Sequence, residues 1–352
     1  MIYTRRDVGR FALATLPAAS LLSASKPNSK FGGVQIGVIA PYSFHGMPGD
    51  AESLLKDMVE LGIDACELQN PPAEAFAGAP AQAGRGGGAG RGRGQGTSGA
   101  EIGAGAGGAG GGEPGRGGQG RGAGRGSRAP FTPEQQAAQQ KAAEEMKKWR
   151  LSVSMDKFKA LRKMYEDAGV RIYAFKLGLT LAMSDDEYQY TFNVAKVLGC
   201  NHLTMELPTD PSLTKRIGEF AAKEKMMVGY HAHTQATPLL WDEAMAQSKY
   251  NAINLDIGHY TAGTSSDPIP FVKKNHDRIT SMHLKDRKYE TNGGQNMPWG
   301  QGQTPIKEVL QLMKNEKYRF PGTIELEYTP PEGSDSMKEI AKCLDYCKAA
   351  LA

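Results

Sequence analysis

The chain has 352 residues, 42 Lys and Arg against 38 Asp and Glu, a formal net charge of +4 and four cysteines. That length admits one large domain or two ordinary ones, and an α/β barrel fits as a single unit. Much of the arginine sits in one Gly-rich tract, so the rest is near neutral and gives no reason to expect nucleic acid as a partner.

Residues 1–25 carry an adjacent pair, Arg5-Arg6, then an apolar run from Phe11 to Leu22 and small residues at Ser23-Ala24-Ser25. This is the layout of a cleavable export signal of twin-arginine type, too short for a permanent membrane span, and it predicts a periplasmic location. Val8 and Gly9 depart from the residues usual in that motif. The folded part is expected over 33–352. Cys66, Cys200, Cys343 and Cys347 form no CxxC pair, and the last two, on an expected helix, read as packing residues rather than a disulfide.

Val34 to Ile39 is a β-rich run that breaks at Ala40-Pro41. Asp50 can cap a following helix whose stripe is Leu54, Leu55, Met58, Val59 and Leu61, and Gly62 stops it. Ile63 to Leu68 is the second strand, so strand, helix and strand make a βαβ unit and predict a parallel sheet. Residues 77–130 are then mainly Gly, Ala, Arg and Gln, with too little apolar surface to offset ordering entropy, and predict a disordered insertion. Its Gly-Arg-Gly units occur in RNA-binding segments too. With no Phe or Tyr before Phe131, however, base stacking has no platform, and a tolerated loop insertion is the better reading.

Helices are expected over 133–150 and 154–168, then a third strand over Arg171–Lys176. A helix from Asp185 to Leu198 stops at Gly199, and His202–Glu206 is the fourth strand. The helix from Leu213 to Lys225 leads to a fifth strand, Met226–His231. Asn254–His259 and Ser281–Asp286 supply strands six and seven. After a helix over 305–314, Gly322–Glu327 is strand eight, and a helix over 338–351 closes the chain. Eight strands alternating with helices imply a (β/α)8 TIM barrel, whose chemistry sits at the C-terminal strand ends.

Polar residues fall at those ends. Glu206, Asp256, His283 and Glu325 each end a buried-looking run, and together offer oxygen and nitrogen ligands for one divalent ion, Mn²⁺ or Co²⁺ first and Zn²⁺ also admitted. Glu325 and Glu327, two apart, face one side of strand eight, so Glu327 is the alternative ligand. Further rim residues are His231, His233, His259, Lys285, Asp286, Lys176 and Glu67; for the last two a structural hydrogen-bonding role comes ahead of a functional one. Of the seven histidines, all but His45 and His276 fall on strands four to seven.

At these residues the chain resembles the xylose-isomerase-like TIM-barrel superfamily, the sugar phosphate isomerase/epimerase family. Leu255-Asp256-Ile257-Gly258-His259 is similar to its D-x-G-H motif, His283-Leu284-Lys285-Asp286 to its H-L-K-D and Ile324-Glu325-Leu326-Glu327 to its I-E-x-E. His231-Ala232-His233 is similar to its H-x-H, and Pro298-Trp299-Gly300-Gln301-Gly302 to its P-W-G-E-G, with Gln301 replacing Glu. The resemblance implies metal ligation by Glu206, Asp256, His283 and Glu325, with Glu206 and Glu325 also moving the proton. It also implies substrate contact by His259, with Arg287 close to an arginine of the family but not in clear register. His231, His233, Lys176 and Glu67 complete the expected substrate-binding set. The implied activity is sugar isomerisation or epimerisation by proton abstraction beside a carbonyl. Alternatives are a keto-glycoside lyase or dehydratase on the same site, an endonuclease IV-like hydrolase, and a non-catalytic sugar binder. A small-molecule sugar is the expected partner, and a homo-oligomer is compatible with this reading.

Overall fold

The computed structural model describes residues 26–81 and 132–352. The export signal expected over 1–25 and nearly all of the insertion expected over 77–130 lie outside them. Eight parallel strands form the barrel: β1 (Val34–Ala40), β2 (Ala65–Gln69), β3 (Arg171–Lys176), β4 (His202–Glu206), β5 (Met227–His231), β6 (Asn251–Asp256), β7 (Ile279–Leu284) and β8 (Gly322–Ile324). Each pairs with the next, and β1 pairs with both β2 and β8, so the sheet closes on itself. A two-residue strand, Lys30–Phe31, adds an antiparallel edge outside β1.

The surrounding helices are α1 (Ala51–Leu61), α2 (Asn70–Phe76), α3 (Pro133–Ser152), α4 (Met155–Asp167), α5 (Asp185–Leu198) and α6 (Pro211–Glu224). They continue as α7 (Asp242–Gln247), α8 (Ile257–Thr264), α9 (Ile269–Asn275), α10 (Ile306–Asn315) and α11 (Ser336–Leu351). Their ends follow local chemistry. Asp50 accepts the Ser53 N–H at 2.8 Å to start α1, and Gly62, at φ 74°, ends it in a conformation that costs other residues energy. Ser184 and Glu187 cap α5 reciprocally. On α10, Ile306, Val309, Leu310 and Met313 form one buried face, each burial contributing about 1.5–3 kcal/mol.

Inside the barrel Tyr173 spans from β3 to β8, where its hydroxyl meets Thr323 Oγ1 at 2.6 Å. Gly37 on β1 makes room for that ring, since a Cβ there would lie 2.6 Å from it. Above this plug the interior turns polar, with Thr204, Glu67, Asn254, Ser281 and His202 all buried.

Several expected boundaries move, the start of the second strand among them, from Ile63 to Ala65. β6 begins at Asn251, so Asp256 is its last residue and Gly258-His259 belong to α8. β7 likewise begins at Ile279 and ends at Leu284. Strand eight stops at Ile324, leaving Glu325 and Glu327 in the following turn, where their side chains bend toward the barrel mouth. The short helices α2, α7, α8 and α9 were not individually legible, being too brief to show a helical period. All four cysteines are buried and unpaired, so the packing role expected of Cys343 and Cys347 is what the fold gives them.

Candidate metal centre

Four strand ends converge at the C-terminal mouth. His231 from β5, Asp256 from β6, His283 from β7 and Glu325 after β8 are all buried, and one ligand atom from each lies within 4.8 Å of the others. Three of these are the expected ligands. The fourth place belongs to His231, expected as a substrate contact, while Glu206 stands outside the group. Glu206 is paired instead with Lys176 Nζ at 2.9 Å and His233 Nε2 at 3.1 Å. Its side chain is 44% exposed, which opens it to the mouth.

His283 sits between two acids. Its Nδ1–H donates to Glu325 Oε2 at 2.8 Å and its Nε2–H to Glu67 Oε2 at 3.0 Å. Burial alone would lower its pKa; the charges and hydrogen bonds of Glu67 and Glu325 outweigh that and push it up to about 10. Burial would raise Glu67, but the charge of His283 and its hydrogen bond hold it down at about 2. His231 is lowered to about 3 by burial, so it is neutral at pH 7.

Asp256 is the N-cap of α8. Its Oδ1 accepts the His259 backbone N–H at 2.7 Å, satisfying one of that helix's free donors. Its Oδ2 is buried and receives no hydrogen bond, although Lys285 Nζ is 3.0 Å away. Burial raises the Asp256 carboxyl to about 6, with Lys285 opposing and the nearby Glu325 charge reinforcing.

Lys285 is 2% exposed and inserts its ammonium among acids: Glu327 Oε2 at 2.6 Å, Asp256 Oδ2 at 3.0 Å and Glu325 Oε2 at 3.0 Å. Burial alone would lower its pKa, and those carboxylates reverse the sign and keep it charged. Gly258 creates the passage for its stem, because a Cβ there would lie 2.3 Å from Lys285 Cγ and 2.7 Å from its carbonyl oxygen. The motif glycine and the motif lysine are therefore one device. Lys285 was legible only as a polar rim residue; its contact with three acids depends on the fold.

His259 meets two cations, Lys285 at Nε2 (2.9 Å) and Arg287 at Nδ1. A neutral imidazole accepts at one nitrogen only, so these donors compete for it. Burial and the neighbouring Lys285 lower its pKa well below the usual range and keep it neutral. Arg287 thus lies at the mouth, held also by the Gly294 carbonyl. Glu327 accepts from Tyr42 Oη at 3.1 Å and from Lys285, and it is not part of the four-residue group. Glu67, expected among the substrate contacts, is fully buried beneath His283 and engaged by Thr204, which removes it from the surface that a ligand meets. The segment Pro298 to Gly302 wraps Asp286, whose carboxylate accepts the N–H groups of Gly300, Gly302 and Thr304 at 2.8, 2.8 and 3.1 Å.

The group fits a divalent cation on its own chemistry. Two imidazoles and two carboxylates are a mixed nitrogen and oxygen donor set. Asp256 Oδ2 is buried without a hydrogen bond and has the Lys285 ammonium 3.0 Å away as its charged partner, and an ion at the group would take the place of the His283 Nδ1 hydrogen that now faces Glu325. Among the described residues, no helix is long and apolar enough to cross a membrane.

A family model described as xylose isomerase-like TIM barrel matches residues 136–347. No curated protein matches the chain. Among solved structures, an L-ribulose 3-epimerase is similar at TM-score 0.53 and 11% identity, over 90% of this chain and 94% of its own. The probable 3-DHS dehydratase AsbF of Bacillus anthracis is similar at TM-score 0.53 and 13% identity, over 88% and 98%. A xylose isomerase domain protein of Alicyclobacillus acidocaldarius gives TM-score 0.53 and 12% identity, over 90% and 99%. Identities this low speak to the fold alone.

Proposed function

The chain belongs to the xylose isomerase-like TIM barrel family, and from that premise we propose that it is a metal-dependent sugar isomerase or epimerase that removes a proton beside a carbonyl. The observation that carries this reading is the buried convergence of His231, Asp256, His283 and Glu325 at the barrel mouth, with charged side chains above it. Those four residues would hold one divalent ion, Mn²⁺ or Co²⁺ first. When bound, such an ion supplies Lewis acidity to a ketose carbonyl and its neighbouring hydroxyl.

The chain's own groups do the rest. Glu206 lies at the mouth, and burial alone would raise its pKa. His231, Lys176 and His233 lower it instead, so it is ionised; the same partners weaken it as a base, and to take a proton it must give up part of that pairing. Lys176 and His233 fix the position of its carboxylate. The Lys285 ammonium is placed to donate to oxygen as negative charge develops in an enediolate. Returning the proton to the opposite face inverts the carbon; returning it to the neighbouring carbon isomerises the sugar. His259 and Arg287 supply polar contacts for substrate hydroxyls. The export signal expected over residues 1–25 favours a free sugar or keto-glycoside over a phosphorylated one.

A second reading, β-elimination from a keto-glycoside, draws on Lys285. Its ammonium, held by Glu327, is a hydrogen-bond donor for a departing oxygen, which would take its proton from water because the surrounding carboxylates make Lys285 a weak acid. The test is proton exchange followed by NMR, with the Mn²⁺-loaded chain in D₂O and a panel of ketoses and 3-keto-glycosides. Deuterium entering beside the carbonyl supports the reading, and the product separates epimerase from lyase. No exchange across the panel by an ion-loaded chain overturns it.

A further inference from the structure

Beneath the four-residue group lies a layer of buried polar side chains. Glu67 accepts from Thr204 Oγ1 at 2.7 Å and from His283 Nε2 at 3.0 Å. Asn254 Oδ1 lies 2.9 Å from His231 Nδ1, and its Nδ2 donates to Ser281 Oγ at 2.7 Å while reaching Glu67 Oε2 at 3.5 Å. Asn254 and Glu67 are both fully buried, so water offers neither an alternative partner.

These bonds have only one consistent assignment of protons at the two rings. Glu67 is met by donors on every side, the Thr204 hydroxyl and the Asn254 amide besides His283, so its oxygens accept and the His283 nitrogen facing it carries hydrogen. The amide NH₂ of Asn254 is committed to Ser281 and Glu67, so its oxygen faces His231, whose Nδ1 must carry hydrogen. The opposite tautomer at either ring would set two buried acceptors against each other.

We propose that Glu67 and Asn254 are positioning residues that fix the tautomers of both metal-centre histidines, leaving His283 Nδ1 and His231 Nε2 as the ligand nitrogens. The proposal rests on the reading of His231, Asp256, His283 and Glu325 as a metal centre. His283 Nδ1 faces Glu325 Oε2 at 2.8 Å and donates its hydrogen there; with Nε2–H held by Glu67, the Nδ1 hydrogen is the one that an ion would replace. Partners of this kind orient the ring and raise its basicity as a ligand.

The experiment titrates Mn²⁺ into the metal-stripped full chain by calorimetry, for the wild type, Glu67→Gln and Asn254→Leu. It adds long-range ¹H–¹⁵N NMR of the imidazoles on the Zn²⁺-loaded wild type. Glu67→Gln keeps the shape and loses the charge, and about 10- to 100-fold weaker Mn²⁺ binding is expected, with circular dichroism unchanged. NMR is expected to place hydrogen on His283 Nε2 and His231 Nδ1. Should Glu67→Gln fail to fold, Thr204→Val removes only the hydroxyl that steadies Glu67, and weaker binding in the same direction is expected. Wild-type affinity in all of the folded variants, or the opposite tautomers, overturns the proposal alone. A wild type that takes up none of Mn²⁺, Co²⁺ and Zn²⁺ overturns the metal reading and the proposal with it.

Discussion

Where β5 to β8 end, His231, Asp256, His283 and Glu325 point at one another and are buried; on the early strands, Glu67 midway along β2 and Lys176 and Glu206 at the ends of β3 and β4 point at other groups. Glu67 serves His283 from below, and Lys176 serves Glu206. The contrast separates two tasks within one mouth. The late strands concentrate donor atoms in a place that water does not reach, and the early strands set the charge and orientation around them. Glu206 marks the border, being in register with His231 on the adjacent strand yet directed to His233 and Lys176.

The largest effect expected from this division comes from the late strands. His283→Ala removes an imidazole that touches two acids, so Glu67 and Glu325 lose their shared cation as well as a ligand. Mn²⁺ uptake, measured by calorimetry or by atomic absorption after dialysis, is expected to vanish together with turnover. Chelation of the wild type is expected to have the same effect, reversed by Mn²⁺ at one ion per chain. A stoichiometry of two would bring in His233 and His259, which form a second group only by taking His231 from the first, and would move the reading toward a hydrolase.

A smaller loss, confined to turnover, is expected from Glu206→Gln. The amide keeps the contacts to Lys176 and His233 but cannot take a proton, so turnover should fall about 10²- to 10⁴-fold. Mn²⁺ affinity should change little, because Glu206 is outside the four-residue group. If affinity collapses as it does in His283→Ala, the border is misplaced and Glu206 is itself a ligand. Measuring both quantities on the same preparation decides the matter.

Much of this plan was legible in the sequence, for physical reasons that differ by residue. Asp50 and Gly62 mark α1 because capping is local chemistry, and Gly199 marks the end of α5 in the same way. Asp256, His283 and Glu325 stand out because each interrupts an apolar run at a place that a barrel makes common to all strands. The choice between Glu206 and His231 was not legible. They are register partners on neighbouring strands, and which one turns into the group depends on side-chain directions that no spacing encodes. Lys285 was hidden for another reason: a lysine reads as solvated, and only the missing Cβ at Gly258 lets its stem run inward. The inward position of Glu67 follows from Thr204 and His283, which are distant in sequence.

The smallest expected effect on the chemistry lies outside the mouth and tests whether stability and function separate. Arg150, in α3, reaches across to Glu74 in α2, with Nε to Oε1 at 2.8 Å and Nη2 to Oε2 at 3.1 Å. Tyr190 and Asn70 donate to the same carboxylate at 3.1 and 2.6 Å, and Glu74 is almost wholly buried. Residues 82–131 lie between these helices in the sequence, so the pair joins an element that precedes that segment to one that follows it. Arg150→Met leaves Glu74 buried without its cation, which is the costly way to break such a pair, about 3–5 kcal/mol at full burial. The Arg150 side chain is 13% exposed, so the lower end of that range is expected in urea unfolding. Adding Glu74→Gln should restore part of the loss, because the stranded charge is removed. Mn²⁺ affinity and turnover per folded molecule should stay at wild-type values in both variants. A change in either would mean that the pair between α2 and α3 also governs the mouth, and the division between late-strand donors and early-strand support would have to include those helices.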